Sequence, residues 1–238
     1  HIITDSESSK SDIIKFTGIF RDNISVVFLA ASEIFRPEAN TLLLRRMRVK
    51  YKLPEKFVLY VGDVTWNKNL PRLIKAVQKI DTSLVMVGQA LFEKDFDKTN
   101  PWNQDLVEVQ KLAESDKKII RLGFVPQEDL VMLYNAATVF AMPSIYEGFG
   151  LPVLEAMACG CPVVTSKEGS LKEVAGDAAY FVDAYSIDSI ADGIGEVFFS
   201  SKVQKDLSEN SLVQARKFGW KKTAEKTIES YKGAVKRH

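Results

Sequence analysis

The chain has 238 residues, 46% of them hydrophobic and 10% aromatic, which is enough to bury a sizeable core. Its 32 Lys and Arg residues nearly balance 31 Asp and Glu, so the sequence does not indicate a broad basic surface for DNA or RNA, and any basic site must be local. No apolar run approaches the ~18 residues of a membrane span, and the first residues lack a signal-peptide pattern. We therefore expect an ordered, cytoplasmic chain.

The first fifty residues differ in pattern from the rest of the chain. Residues 11–16 look helical, residues 24–29 resemble a buried strand, and residues 42–50 form a basic helical pattern. One strand with its helices cannot bury its own apolar faces. This piece must therefore pack on the remainder of the chain or belong to a part that is absent from it.

From residue 57 onward, short apolar runs alternate with amphipathic stretches. The runs that predict strands are 57–61, 84–87, 119–122, 138–142, 162–165 and 179–182. The stretches that predict helices are 69–80, 101–114, 126–137, 151–158, 171–174, 186–199, 202–217 and 220–235. Continuous apolar strands separated by helices are typical of a parallel sheet covered on both faces, so the predicted fold class is α/β, a doubly wound Rossmann-like sheet.

Ligands of such a sheet bind at the carboxyl ends of its strands. The loops that follow Gly62, Gly88, Pro143 and Thr165 are therefore the places where a functional site is expected. Glycine ends two of the predicted strands, which lets a ligand approach the backbone there.

The most informative stretch is PSIYEGFGLPVLEAMACGCP. Glu147 lies in a glycine-rich loop after a predicted strand, and Glu155 lies one turn into the helix that follows. The free N–H groups at a helix start attract an anion such as a phosphate, and Gly148 and Gly150 leave room for it. A carboxylate at residue 155 can accept hydrogen bonds from a vicinal diol such as a ribose, while one at residue 147 can reach another hydroxylated group.

Each of these features has a simpler interpretation when it is taken alone. A glutamate in a first helical turn is commonly a partner of the helix dipole, and Gly-Phe-Gly is commonly just a turn. Their combination at the end of a predicted strand favours a binding site.

This pattern resembles the retaining glycosyltransferases of the GT-B fold, specifically family 4 (glycosyl transferases group 1), whose motif is two glutamates separated by seven residues, as in Glu147-GFGLPVL-Glu155. The similarity extends through FVLYVG, NKNLPRLIKA, RLGFVPQEDLVMLYNAA, PSIYEGFGLPVLEAMACGCPVV and KEVAGDAA. In that family the first glutamate contacts the transferred sugar and the second the ribose. The resemblance thus implies Glu147 as the catalytic residue and Glu155 as a donor-binding residue.

The resemblance also implies contacts with the diphosphate of the donor. Lys68 matches the family lysine that holds the diphosphate, and the loop at 168–171, with Ser170, would supply backbone N–H groups. The other expected donor-binding residues are Gly62, Gly148, Phe149, Gly150 and Leu151. Asp63 stands where the family often has a second cation, a change that a lipopolysaccharide mannosyltransferase-like branch shares, and Lys167 or Arg72 is the candidate replacement.

Neither a metal nor a cofactor is expected. Asp95-Phe96-Asp97 matches a metal-binding triplet of a different glycosyltransferase architecture, but it lies in a charged insertion and not at a strand end. The chain lacks both a G-x-x-x-x-G-K-[ST] phosphate loop and a G-x-G-x-x-G dinucleotide fingerprint. Cys159 and Cys161, one residue apart, are too few for zinc and too close together for a structural disulfide, so reduced, packed thiols are expected.

The resemblance divides the chain into three parts. Residues 1–50 correspond to a remnant of an amino-terminal domain with its linker, 51–219 to a donor nucleotide-sugar-binding domain, and 220–238 to a crossover helix. GT-B enzymes bind the acceptor in the amino-terminal domain. We therefore expect that domain to lie outside these 238 residues and the fragment alone to be inactive.

The expected function is retaining glycosyl transfer from a nucleotide-diphosphate sugar, with GDP-mannose favoured, to a glycan or lipid-linked acceptor. Peripheral membrane association of the full-length enzyme is compatible with it. The alternative is a non-catalytic Rossmann-like nucleotide-binding or interaction domain, in which the carboxylates only cap helices. The glutamate motif does not identify the base, the sugar, the acceptor or the linkage.

Overall fold

The computed structural model describes residues 1–235. The strands are β1 (Ile2–Thr4), β2 (Ile24–Val26), β3 (Val58–Val61), β4 (Leu84–Val87), β5 (Ile119–Gly123), β6 (Val139–Met142), β7 (Val163–Thr165) and β8 (Tyr180–Phe181). The helices are α1 (Glu7–Thr17), α2 (Thr41–Tyr51), α3 (Leu70–Lys79), α4 (Gln104–Ser115), α5 (Gln127–Ala136), α6 (Leu151–Ala158), α7 (Leu171–Ala175), α8 (Ile187–Phe199), α9 (Ser201–Ala215) and α10 (Trp220–Val235).

Six of these strands form one parallel sheet in the order β5-β4-β3-β6-β7-β8. The chain begins this sheet at its centre with β3, builds outward to β5, and returns to place β6 on the other side of β3. The order reverses between β3 and β6, which is the topological switch point where ligands of doubly wound sheets bind. The predicted α/β fold class is confirmed.

Burial explains why these segments form strands and helices. Val58, Leu59 and Tyr60 of the central strand are fully buried because helices cover both faces of the sheet. Helix α3 turns one apolar face inward, on which Leu70, Leu73, Ile74 and Val77 are all inaccessible to solvent. This i, i+3, i+4, i+7 spacing is that of an amphipathic helix packed against a core.

Most predicted segments are present, with differences at their ends. The helix predicted at 101–114 begins later, because a 3-10 turn at Pro101–Asn103 precedes α4 and the Asn100 side chain caps that turn. Helix α1 begins at Glu7 and not at residue 11, because the Ser6 hydroxyl accepts a hydrogen bond from the Ser9 N–H and so caps an earlier start. The strand predicted at 24–29 ends at residue 26.

The first fifty residues pack on the rest of the chain. Strands β1 and β2 form a separate two-stranded parallel sheet. The Glu173 carboxylate of α7 accepts hydrogen bonds from the N–H groups of Glu7 (2.9 Å) and Ser8 (2.7 Å) at the start of α1. On α10, the Thr223 hydroxyl donates to the Phe28 carbonyl at 2.7 Å. The three-part division of the chain remains an interpretation, and residues 236–238 of its last part lie outside the described residues.

Asn69 joins three segments around the switch point. Its side chain is almost fully buried at 2% exposure, and its backbone is left-handed with φ of 60°. The side-chain amide donates to the carbonyls of Pro143 (2.9 Å) and Ala184 (2.6 Å), and its oxygen accepts from Arg72 (2.9 Å). The loop after β3 is thereby fixed against the loop after β6.

We expect Asn69→Ala to lower the free energy of unfolding by about 3 kcal/mol, because it leaves two buried carbonyls without a donor and places alanine in a left-handed conformation. Urea denaturation followed by circular dichroism measures this change. Asn210→Ala on the exposed face of α9 is the matched control, with a change within about 0.5 kcal/mol. Equal stabilities of the two variants would contradict the assigned role of Asn69.

Candidate functional site

Lys68 and Glu147 meet at the switch point. Lys68 ends a 3-10 turn, Trp66–Lys68, in the loop after β3, and Glu147 lies in the loop after β6. The Lys68 Nζ is 2.8 Å from Glu147 Oε1 and 2.9 Å from Oε2. Glu147 is only 7% exposed, so this is a largely desolvated ion pair. The structure therefore brings together the predicted diphosphate-binding and sugar-binding residues.

The backbone of Glu147 is held by the loop after β7. Its carbonyl accepts hydrogen bonds from both the N–H and the hydroxyl of Ser170, each at 3.1 Å. Gly169 has φ of +58°, and a Cβ there would lie 2.5 Å from the Glu147 carbonyl oxygen. Only glycine fits this close approach. Ser170 therefore supports Glu147 in this structure, and its contact with a donor remains a prediction.

Further hydrogen bonds fix the loop after β6. The Ile145 N–H donates to the Asn67 carbonyl at 2.7 Å, and the Asn67 side chain donates to the Tyr146 carbonyl at 3.0 Å. The buried Ser166 hydroxyl donates to the Ser144 carbonyl at 2.6 Å. The loop that carries Glu147 is thus bonded to the loops of both neighbouring strands, which preorganises the site.

The glycine-rich turn before α6 is also closely packed. Gly150 has φ of +89°, and a Cβ there would lie 2.8 Å from the Leu171 side chain. The Phe149 ring is 4% exposed and packs 6.2 Å from Phe28 and 6.1 Å from Phe218 between ring centroids. Any donor contact of Phe149 is therefore left to its backbone. Leu151, at the start of α6, is partly exposed.

Contacts with the amino-terminal segment also reach this loop. The Ser9 hydroxyl of α1 donates to the Gly148 carbonyl at 3.3 Å, and the Tyr146 hydroxyl donates to the Asp12 carboxylate. This bond raises the pKa of Tyr146 to about 12, so Tyr146 remains a donor at neutral pH. The segment that precedes the sheet thus borders the candidate site.

Glu155 has a different hydrogen-bond partner from the Lys68–Glu147 pair. It is partly exposed on α6, and its Oε2 accepts a hydrogen bond from the Tyr134 hydroxyl at 3.0 Å. Burial raises the pKa of Glu155 to about 7, and the Tyr134 hydrogen bond opposes that rise. Within residues 1–235, no hydrogen bond joins Glu155 to Lys68 or Glu147. Its predicted contact with a ribose remains a prediction.

The end of β3 is shaped by glycine. Gly62 has φ of +152°, and its backbone packs against the end of β4, where a Cβ on Gly88 would lie 2.1 Å from the Gly62 carbonyl oxygen. The Asp63 side chain is exposed, and the Asp63 carbonyl accepts a hydrogen bond from the buried Tyr60 hydroxyl at 2.8 Å. The donor contact of Gly62 remains a prediction.

The two candidate replacements for the second cation are engaged elsewhere. Arg72 donates to the Asn69 side chain, and the Lys167 Nζ lies over the Phe181 ring, 5.8 Å from its centroid. Neither forms an ion pair within the described part of the chain. Completion of the phosphate clamp by either residue therefore remains a prediction.

Three secondary expectations can be placed on the structure. Asp97 lies on an exposed turn and accepts hydrogen bonds from the Thr99 N–H and hydroxyl, and no group of three or more His, Cys, Asp or Glu residues in 1–235 is arranged to hold a metal. Cys159 and Cys161 are buried free thiols, as predicted, and burial raises the pKa of Cys159 to about 12. None of the helices described is long and apolar enough to span a bilayer.

Sequence reasoning missed Tyr134, Asn69 and Glu173. A tyrosine on an otherwise apolar helix face is the signal that could have identified Tyr134, since a buried hydroxyl needs a partner. Asn69 stands directly before a helix that starts with Leu-Pro, a position where asparagine tolerates a left-handed backbone. The link between Glu173 and α1 spans 166 residues, and no local pattern indicates it.

The chain is similar to glycosyltransferases in both sequence and fold. O-antigen chain mannosyltransferase B of Escherichia coli is 35% identical over 97% of this chain, and the match covers 60% of that protein. The serotype-specific mannosyltransferase WbdA of E. coli is 29% identical over 95% of this chain and 28% of its own length. The crystal structure of Anabaena Alr3699/HepE in complex with UDP and glucose superposes with a TM-score of 0.83 at 20% identity, over 97% of this chain and 62% of that chain.

The chain thus spans less than two thirds of the length of these relatives. The family model described as Glycosyl transferases group 1 matches residues 45–214, which include β3 to β8 and every predicted site residue. The fold of this chain is one Rossmann-like half of the GT-B architecture. The chain therefore belongs to the glycosyl transferases group 1 family.

Proposed function

We propose that this chain is the donor-binding half of a retaining glycosyltransferase of family 4 and binds a nucleotide-diphosphate sugar. The observation that carries the proposal is the Lys68–Glu147 pair at the switch point of the sheet. A desolvated cation beside a held carboxylate suits a ligand that presents a phosphate and a hydroxylated sugar to the same place.

Lys68 is the diphosphate-binding residue of this proposal. In the structure its ammonium donates hydrogen bonds to both oxygens of the Glu147 carboxylate, as it would to the oxygens of a phosphate. Binding of the donor transfers Lys68 from Glu147 to the diphosphate. The Glu147 carboxylate then accepts hydrogen bonds from hydroxyls of the transferred sugar.

The chemistry of transfer follows from charge stabilisation. When the glycosidic bond to the phosphate breaks, negative charge develops on the departing nucleoside diphosphate, and Lys68 with backbone N–H groups of the loops stabilises it. We include retention of the anomeric configuration because the glutamate motif resembles that of retaining enzymes. In this proposal Glu147 lies beside the reacting sugar. The chain supplies its own cation, so the proposal needs no metal and no cofactor.

GDP-mannose is the donor that we favour. Two relatives are described as mannosyltransferases, and one of them is 35% identical to this chain. A structural neighbour at 20% identity was solved with UDP and glucose, which supports a nucleotide sugar as the ligand class and keeps UDP among the probes.

The acceptor belongs to the remainder of the enzyme in this proposal. The match covers 60% of mannosyltransferase B. Binding of the acceptor, a glycan or a lipid-linked sugar, is therefore assigned to the part of the enzyme that corresponds to the unmatched part of that relative. A cytoplasmic location, and peripheral contact of the whole enzyme with a membrane, are parts of the same proposal.

Nucleotide titrations test the donor site. We expect isothermal titration calorimetry to detect binding of at least one of GDP, UDP and dTDP, and we expect Glu155→Ala and Lys68→Ala each to weaken it about tenfold or more, since each removes a charge-assisted hydrogen bond.

Lys75→Ala is the matched control, because Lys75 is an exposed lysine of α3 that pairs with Glu108 and has no place in the site. Its affinity should equal that of the wild type. Absence of binding by a folded wild-type chain to all three nucleotides would refute the proposed function and favour an interaction domain.

A second measurement concerns turnover. We expect the 238-residue chain to bind GDP-mannose without consuming it, because no acceptor site is assigned to these residues. The anomeric proton signal of GDP-mannose, followed by NMR over several hours, should keep its intensity. Loss of this signal together with production of GDP would contradict the assignment of transfer to a larger enzyme.

A further inference from the structure

The contact between Tyr134 and Glu155 joins helices α5 and α6. Tyr134 of α5 is fully buried, and its hydroxyl donates to Glu155 Oε2 on α6 at 3.0 Å. Two aromatic neighbours hold the Tyr134 ring. Its centroid is 5.8 Å from that of Phe35 and 5.5 Å from that of Phe140, both in edge-on arrangements. The hydroxyl is therefore held in a fixed position.

The hydrogen bond leaves half of the carboxylate available. Glu155 Oε1 has no hydrogen-bond partner within residues 1–235, and this atom is not enclosed by the protein. Since Glu155 is partly exposed, this oxygen can be reached from outside. Tyr134 thus holds one oxygen of the carboxylate, and the other oxygen is free to accept hydrogen bonds from a ligand.

The charges around the pair decide what Tyr134 does for Glu155. Burial, and after it the negative charge of Glu155, raises the pKa of Tyr134 on α5 and of Cys159 just beyond the end of α6, so both groups are neutral between pH 6 and 8. Within residues 1–235, no Lys, Arg or His forms an ion pair with Glu155. The Tyr134 hydrogen bond is therefore the interaction that favours the charged carboxylate against the cost of burial.

We propose that Tyr134 is a positioning residue for ribose recognition, which holds Glu155 as an oriented carboxylate whose free oxygen accepts hydrogen bonds from the 2′- and 3′-hydroxyls of a nucleotide. This inference rests on the proposed function and adds the residue that makes the site selective for ribonucleotides. Tyr134 acts through Glu155 and does not touch the ligand.

The sign of the pH effect follows from the charge of Glu155. A carboxylate accepts hydrogen bonds from two hydroxyls better than a carboxylic acid does, and the pKa of Glu155 is about 7. Preference for GDP over 2′-deoxy-GDP should therefore rise as the pH increases from 6 to 8. The terminal phosphates of the two ligands titrate alike, so their effect cancels in the ratio of dissociation constants.

Tyr134→Phe tests the inference, because it removes the hydroxyl and keeps the ring between Phe35 and Phe140. We expect the pH midpoint of the GDP preference to move upward by about one unit, and GDP binding at pH 7 to weaken roughly five- to tenfold. Binding of 2′-deoxy-GDP should weaken less. Calorimetry at pH 6, 7 and 8 measures these values, with Glu155→Gln showing the preference that remains without an ionisable group.

Tyr51→Phe is the matched control, because the Tyr51 hydroxyl donates to the Asp129 carboxylate at 2.6 Å and this pair lies outside the proposed site. It should leave the GDP preference and its pH profile unchanged. An unchanged profile in folded Tyr134→Phe would overturn the inference.

A wild-type measurement keeps the inference testable if Tyr134→Phe fails to fold. A preference of the wild type that is the same at pH 6 and pH 8 would also overturn it. Failure of the wild type to bind any nucleotide would instead refute the proposed function, so the two failures can be told apart.

Discussion

The pairing of β3 with β6 is the contact on which the candidate site depends. Val58 pairs with Val139 and Leu59 with Phe140, and all four residues are fully buried, so a one-residue slip of either strand would move core side chains to the opposite face of the sheet and disrupt their packing. Because both strands run in the same direction, the loops that follow them leave at the same edge of the sheet. Lys68 and Glu147, separated by 79 positions in the chain, are brought within hydrogen-bonding distance by this pairing.

The hydrogen bonds around the site oppose the cost of burying its charges. A desolvated ion pair contributes little net stability, because each ion has lost its hydration. The chain nevertheless supports Glu147 with two hydrogen bonds from Ser170 and with a glycine at residue 169. Several contacts that together hold one buried charged group in a single orientation are typical of a functional site. The same holds for Glu155, whose buried partner, Tyr134, stabilises a carboxylate with a raised pKa.

The amino-terminal segment connects to the same loops. Its helix α1 receives the Glu173 carboxylate at its positive end, where an anion is favoured, and it contacts the loop after β6 through Asp12 and Ser9. Helix α10 returns to the linker through Thr223. Helix α1 therefore borders the loop that carries Glu147, while α10 packs on the linker that precedes the sheet.

Local patterns in the sequence determined the α/β class and most helices and strands, because burial on both faces and helical spacing leave a direct trace in the order of apolar residues. The two glutamates were identified by their position after a predicted strand and by the family motif that they match. Helix α1 starts earlier than predicted because Ser6 caps it, and α4 starts later because a 3-10 turn capped by Asn100 precedes it. Only the tertiary structure paired Lys68 with Glu147, Tyr134 with Glu155 and Glu173 with α1. These contacts join residues far apart in the chain, and strand order and helix packing decide them.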